Sequence, residues 1–259
     1  MDSRVKHRLV IAAAAAGFLV LAGCAQPDAP APDDTTVPPV PPTAVSPTEE
    51  PADPADEDES LEGEPSLFGP EAGADMTIVG VEYPGTIALL ETPGETASVI
   101  SDLDPLTAIL TATGNNWSLP DSTWYELDSG ESTGWVNARN LTQLGQTDDA
   151  TSAIVEAEGR FSADSIEELG LQVAEFYASD EPPSRVVKSG PAERGDLHEV
   201  TYDVVGLGDD SVMGYRLHVF GLPAEDAAET ETTEGAVTLR TVERTVMCAR
   251  GVTGEGLCV

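Results

Sequence analysis

The chain has 259 residues, of which 47 are Asp or Glu and 12 are Lys or Arg, for a formal net charge of −35. A body this acidic repels phosphate, which excludes duplex nucleic acid and anionic bilayer surfaces as partners bound by charge neutralisation. The length allows one or two ordinary domains, and 40% hydrophobic residues supply small cores but not a multi-span membrane protein.

Arg4, Lys6 and Arg8 precede an uninterrupted apolar run from Leu9 to Ala22, and no further Lys or Arg occurs before Arg139. A basic start, an apolar run and a small-residue ending are the order of a secretory signal. An uncleaved anchor helix is the alternative, but the Ala-rich stretch of 17 residues from Leu9 to Ala25 falls short of the ~20 that span a bilayer. The ending Leu21-Ala22-Gly23-Cys24 resembles the lipobox of bacterial lipoproteins. That resemblance implies cleavage before Cys24, palmitate-type acylation of Cys24, and a mature protein held by its lipid anchor at the extracytoplasmic face of the cell membrane. The competing reading is an ordinary signal peptide followed by a chance cysteine. A chain beginning at Cys24 keeps 9 basic and 46 acidic residues.

From Cys24 to Asp75 there are 12 of the 20 prolines and 14 acidic residues, with no base. Such a segment cannot bury enough surface to offset its ordering entropy, so 24–75 is predicted to be a disordered acidic, Pro-rich stalk. It would span about 40 Å as a flexible coil and about 160 Å as extended polyproline. Thr35, Thr36, Thr43, Ser46 and Thr48 among the prolines leave O-glycosylation open as a second reading.

Hydrophobic alternation begins at Met76. Short apolar runs at 77–81, 87–90, 98–100, 107–110, 124–127 and 135–136 are separated by Pro, Gly, Asp and Asn, the pattern of a small barrel or sandwich over 76–145. Leu90-Glu91-Thr92-Pro93-Gly94-Glu95, Thr123-Trp124-Tyr125-Glu126-Leu127, and Thr133-Gly134-Trp135-Val136 with Leu141 resemble the successive strands of the bacterial SH3-like (SH3b) family. The resemblance covers about 55 residues and implies a wall-exposed binding module for peptidoglycan or protein. Asp104-Pro105 stands where the family has a Lys-Gly turn, and Asn140 where it has a closing Tyr, so the family's ligand preference does not transfer.

Trp117, Trp124 and Trp135 are the candidate ligand-binding residues, because Trp offers a large flat contact and one N–H donor. Core packing is the competing role, favoured for Trp124 and Trp135 by their place in strands; Trp117, in the Gly114-Asn115-Asn116 loop, is open to either. From Met76 to Leu144 nine acids face the single base Arg139, so any groove here suits a basic ligand such as the amine of a peptidoglycan stem peptide or a basic envelope protein.

The remainder, 150–259, reads as an α+β domain with one helix across an antiparallel sheet. Asp164 with Glu167 forms a plausible helix start, and Ile166, Leu169, Val173 and Phe176 recur at helical spacing before Pro182-Pro183. Strands are predicted at 185–189, 197–205, 212–220 and 236–247, with a hairpin turn at 206–210, a long acidic loop at 224–235, and a bulge where the last strand changes parity between Leu239 and Val242. Cys248 and Cys258 are the pair left once Cys24 is acylated, and in an oxidising compartment they read as a disulfide. Reversible redox chemistry is the alternative, without a Cys-x-x-Cys to support it.

His198 and His218 fall on opposite strand faces by alternation, and no nucleophile elbow, zinc-binding or phosphate-binding motif is present. The sequence therefore predicts no catalytic residues, no metal site and no cofactor. The fold class expected is mainly β plus α+β: an SH3-like barrel, then a helix on an antiparallel sheet, behind a disordered linker. The function expected is a non-enzymatic adaptor or sensor of the cell envelope. An accessory or regulatory subunit acting through the C-terminal domain is the alternative, and an extracytoplasmic enzyme of unrecognised type the third.

Overall fold

Apolar residues on alternate positions from Met76 to Leu141 converge on one core, and those from Ala150 to Val242 on another. The computed structural model in which they do so describes residues 63–223 and 237–259. The signal segment, Cys24, the stalk as far as residue 62 and the acidic loop expected at 224–235 lie outside the described residues. No helix among the described residues is long and apolar enough to cross a membrane.

In chain order the elements are β1 (Glu64–Pro65), β2 (Asp75–Ile78), β3 (Ile87–Leu90), β4 (Val99–Leu103), β5 (Leu110–Ser118), β6 (Thr123–Asp128), β7 (Thr133–Asn137), a 3₁₀ turn (Ala138–Asn140), β8 (Leu141–Asp149), α1 (Thr151–Glu158), β9 (Ser162–Ala163), α2 (Ile166–Tyr177), β10 (Arg185–Lys188), β11 (Glu193–Arg194), β12 (His198–Val205), β13 (Val212–Pro223) and β14 (Val237–Cys248). The fold is mainly β. Strand neighbours run β10-β12-β13-β14-β8-β2-β5-β6-β7-β3-β4, an open antiparallel arrangement, with β1, β9 and β11 attached to β5, β14 and β12.

In the first half two segments differ from the sequence expectation, and in the second α1 is a helix beyond the one expected. Residues 63–75 share the composition of the stalk, yet β1 pairs with β5, Ser66 N–H donates to Asn116 O at 2.8 Å and Gly73 N–H to Ala112 O at 2.8 Å. Backbone pairing needs no apolar side chains, so composition does not reveal it. The Gly114-Asn115-Asn116-Trp117 stretch, expected as a loop, lies within β5, whose register with β6 is irregular between Ala112 and Asn116.

In the second half, α2 lays Ile166, Leu169, Val173 and Ala174 on Val200, Tyr202, Leu217 and Val219 of β12 and β13. Its cap is Ser165 rather than Asp164: the Ser165 hydroxyl accepts from Glu168 N–H at 3.1 Å. The helix closes at Tyr177, ahead of the prolines, and Phe176, expected on the apolar stripe, is exposed. Gly170 lets helix and sheet approach closely, since a Cβ there would meet Val200 Cγ1 at 2.5 Å. The expected bulge is present. Phe220 and Gly221 pair with Thr241 and Leu239, which leaves Arg240 as the extra residue.

β8 joins the halves, pairing Leu141 and Thr142 with β2 and Gln143 to Asp149 with β14. On the sheet face opposite α2, Val79 packs with Val205 and Met247. Beside it, Asp203 is 0% exposed and takes a bidentate pair from Arg216, Nε at 2.9 Å and Nη2 at 3.1 Å. The remaining bonds of this pair go to the first half: Arg216 Nη2 donates to Ile78 O at 2.9 Å, and Gly80 N–H donates to the Asp203 carboxylate at 3.0 Å. Gly80 has φ +66, a left-handed conformation that presents its N–H to that carboxylate. Cys248 and Cys258 form the expected disulfide, with Cα atoms 5.1 Å apart.

Candidate functional site

Strand register decides which way each tryptophan points, because residues directly opposite one another in a sheet share a face. Trp117 pairs with Trp124, Trp124 with Asn137, and Pro65 with Trp117. These four form one row across β1, β5, β6 and β7. The adjacent row runs Glu126, Trp135, Leu90, Val99 across β6, β7, β3 and β4. Tyr125, Leu127, Val136 and Leu89, which alternate with these residues, point the other way into the core. All three tryptophans thus lie on the face turned away from the main core of their half.

They are not equivalent on that face. Trp124 is 3% exposed and is the floor of the patch, its indole Nε1–H donating to Ser122 Oγ at 3.0 Å. Trp117 and Trp135 are half-buried, and Val99, at 58% exposure, continues the apolar surface to the outer strand. The competing roles of groove and core therefore divide by residue: Trp124 is buried, whereas Trp117 and Trp135 keep part of their surface exposed.

Next to this floor is an open groove of about 540 Å³ between the β5–β6 turn, 118–123, and the segment 137–139. The turn is closed by Leu119 N–H donating to Ser122 O at 2.8 Å, with Pro120 and Asp121 at its tip, where a preset φ and a short polar side chain suit a tight turn. Ser122 Oγ in turn donates to the exposed Asp121 carboxylate at 3.3 Å, so the Trp124 indole is linked by one hydroxyl to an acidic rim. Across the groove, Asn137 Oδ1 accepts from Arg139 N–H at 3.1 Å and caps the 3₁₀ turn. Arg139 Nη2 lies 3.3 Å from Glu95 Oε1, both well exposed, a pairing of small energetic weight. No aromatic ring among the described residues lines the groove itself; a cationic side chain could meet the Asp121 carboxylate at its rim and, beyond it, the half-buried Trp117 and Trp135 of the same sheet face.

The other residues singled out from the sequence do not join this site. His198 and His218 lie on opposite faces of β12 and β13: His198 pairs with Gly221 on the α2 side, whereas His218 is exposed opposite Thr201. No cluster of three or more His, Cys, Asp or Glu among the described residues could hold a metal ion. Sequence reasoning missed the aromatic cage of Arg244, whose guanidinium lies 5.4 Å from the Tyr177 ring and 5.1 Å from the Tyr215 ring while bonding Asp148 at 2.8 and 3.0 Å. The hydrogen bond to Asp148 raises the Arg244 pKa further, and burial pushes the Tyr177 phenol up. The pairing of β14 with β8 and with β13, together with the end of α2, brings these residues together. Comparison of the chain with family models, with curated proteins and with solved structures returns no match.

Proposed function

We propose that this chain is a cell-envelope lipoprotein, anchored through an acylated Cys24 and a stalk, that binds a cationic peptide ligand without catalysing a reaction. Its binding module is an SH3-like barrel and its ligand is the amine-bearing stem peptide of the cell wall or a basic segment of an envelope protein. The observation that carries the reading is the common outward face of Trp117, Trp124 and Trp135. Large aromatics on a face turned from the core are costly to leave in water, and they concentrate binding energy when a partner covers them. Supporting the barrel are the β3–β4 hairpin, the β5–β6–β7 meander and the 3₁₀ turn that leads into β8.

The test uses the mature chain carrying C24S, titrated with a lysine-containing stem peptide and followed by tryptophan fluorescence. W135A should weaken binding by about tenfold, the scale of a moderate hot spot, and leave the thermal midpoint close to the parent value. Binding that is unaffected by both W135A and W117A refutes the site. Equal binding of an acidic peptide refutes the charge argument.

A further inference from the structure

A second concavity, of about 720 Å³, opens on the other side of β6: Tyr125 lines it, whereas its neighbour Trp124 belongs to the tryptophan face. Its walls come from distant parts of the chain. Met76 and Tyr125 contribute from the barrel side, Met213 from β13, and Cys248 to Gly251 from the disulfide-tied tail. Leu67 and Phe68 stand at its mouth, 95% and 85% exposed. The volume is that of a small-molecule site, and the lining combines apolar side chains with the polar Tyr125, Thr142, Gln143 and Arg250.

The charge of the lining is what identifies an occupant. In a chain with 47 acidic residues, no carboxylate among the described residues lines this cavity, and Arg250 is the one charged residue among those that do. Arg250 Nη2 lies 3.2 Å from Asp210 Oδ2, and both side chains are largely exposed, so this bond exchanges readily for another anion. Tyr125 has its phenol pushed up by burial and stays a neutral donor.

We propose that this cavity binds a free anionic amphiphile, with its apolar body between Met76, Met213 and Phe68 and its carboxylate or equivalent head on Arg250. A free molecule, rather than a lipid within an anionic bilayer, is the occupant, because the net charge of the whole chain opposes approach to such a surface. The disulfide belongs to the site. Ala249 N–H donates to Ser211 O at 2.9 Å and Val259 N–H to Gly251 O at 3.2 Å, so the Cys248–Cys258 link and these bonds hold the Arg250 wall in place.

The experiment uses the mature chain with C24S, so that no acyl chain of its own competes. Anilinonaphthalene sulfonate should bind saturably and be displaced by sodium dodecanoate, and poorly by dodecyltrimethylammonium. R250Q should weaken dodecanoate by about tenfold, the size of one charge-assisted hydrogen bond, while leaving the neutral probe phenylnaphthylamine unchanged. M213W fills the cavity and should abolish both, and F68S, at an exposed position, should weaken both without affecting folding. Displacement by phosphatidylglycerol vesicles but not by dodecanoate overturns the assignment to a free amphiphile. Equal displacement by the anionic and cationic detergents, or probe binding indifferent to M213W and F68S, overturns the site.

Discussion

Replacing Arg216 by Met removes the cation that neutralises a carboxylate with no solvent access. Asp203 would retain only the Gly80 N–H, and Ile78 O would lose its donor from β13. Removing one partner of a buried pair costs about 3–5 kcal/mol, because the remaining charge is stranded in a low-dielectric site. For a unit of about 200 residues, each kcal/mol moves the midpoint by about 2–4 °C, so R216M should melt roughly 6–20 °C below the parent chain. The exposed pair Arg139 and Glu95 is the internal control, with a cost of about 0–1 kcal/mol for R139A. The assay is urea and thermal unfolding with two probes: tryptophan fluorescence, which reports the first half, and far-ultraviolet circular dichroism, to which α2 contributes. In the parent chain the two transitions should coincide, and in R216M they should separate, because the lost bonds are those that tie Ile78 and Gly80 to the second sheet. The double variant D203L/R216M should recover much of the loss, since an apolar pair leaves no buried charge. An R216M midpoint indistinguishable from that of R139A would show that the buried pair carries no more weight than a surface one.

Reduction of Cys248–Cys258 should cost about 2–3 kcal/mol, the chain-entropy value for so short a loop, measured as a lowered urea midpoint with two thiols titrated. S165A removes the acceptor for Glu168 N–H and should cost about 1 kcal/mol in the same assay. Asp209 is held below its usual carboxylate range first by the Val212 N–H and then by the Ser211 N–H, both at 2.8 Å. A depressed folded pKa gives stability that is present above the unfolded value and lost as pH falls through the folded one. D209N should therefore flatten the decline in thermal midpoint between about pH 5 and pH 2.

Much of the second half is legible in the sequence because its elements bury one face each. Ile166, Leu169 and Val173 at helical spacing, and Val200, Tyr202 and Val204 on alternate positions, are direct consequences of that burial. The Arg240 bulge is legible for the same reason: parity cannot change within a ladder without an extra residue. Met213 would share a face with Tyr215, Leu217 and Val219 by simple alternation, but the register shifts between Val212 and Gly214 and it packs toward Val79 and Met247 instead. α1 has only Ile154 as a buried residue, so its periodicity carries no signal. The polar end of β8, Gly145 to Asp149, reads as a loop and becomes a strand only because β14 offers a partner. The tryptophans illustrate the same limit. Their place in strands is visible in the sequence, but the face they take depends on the pairing of Trp117 with Trp124 and of Trp124 with Asn137, which is long-range information.

That register also gives the acidity a more specific meaning. Spread over the whole surface, 47 carboxylates predict only solubility and repulsion of anions. Resolved by face, β6 separates two environments within consecutive residues. On the Trp124 side, Asp121 rims the aromatic floor, which is the basis for proposing a cationic ligand there. On the Tyr125 side, the cavity is lined by no carboxylate among the described residues and Arg250 stands in its wall, which is the basis for proposing an anionic ligand there. The two proposed ligands would therefore not compete, and each site can be tested while the other serves as its control. W135A should leave dodecanoate binding unchanged, and R250Q should leave the stem peptide unaffected.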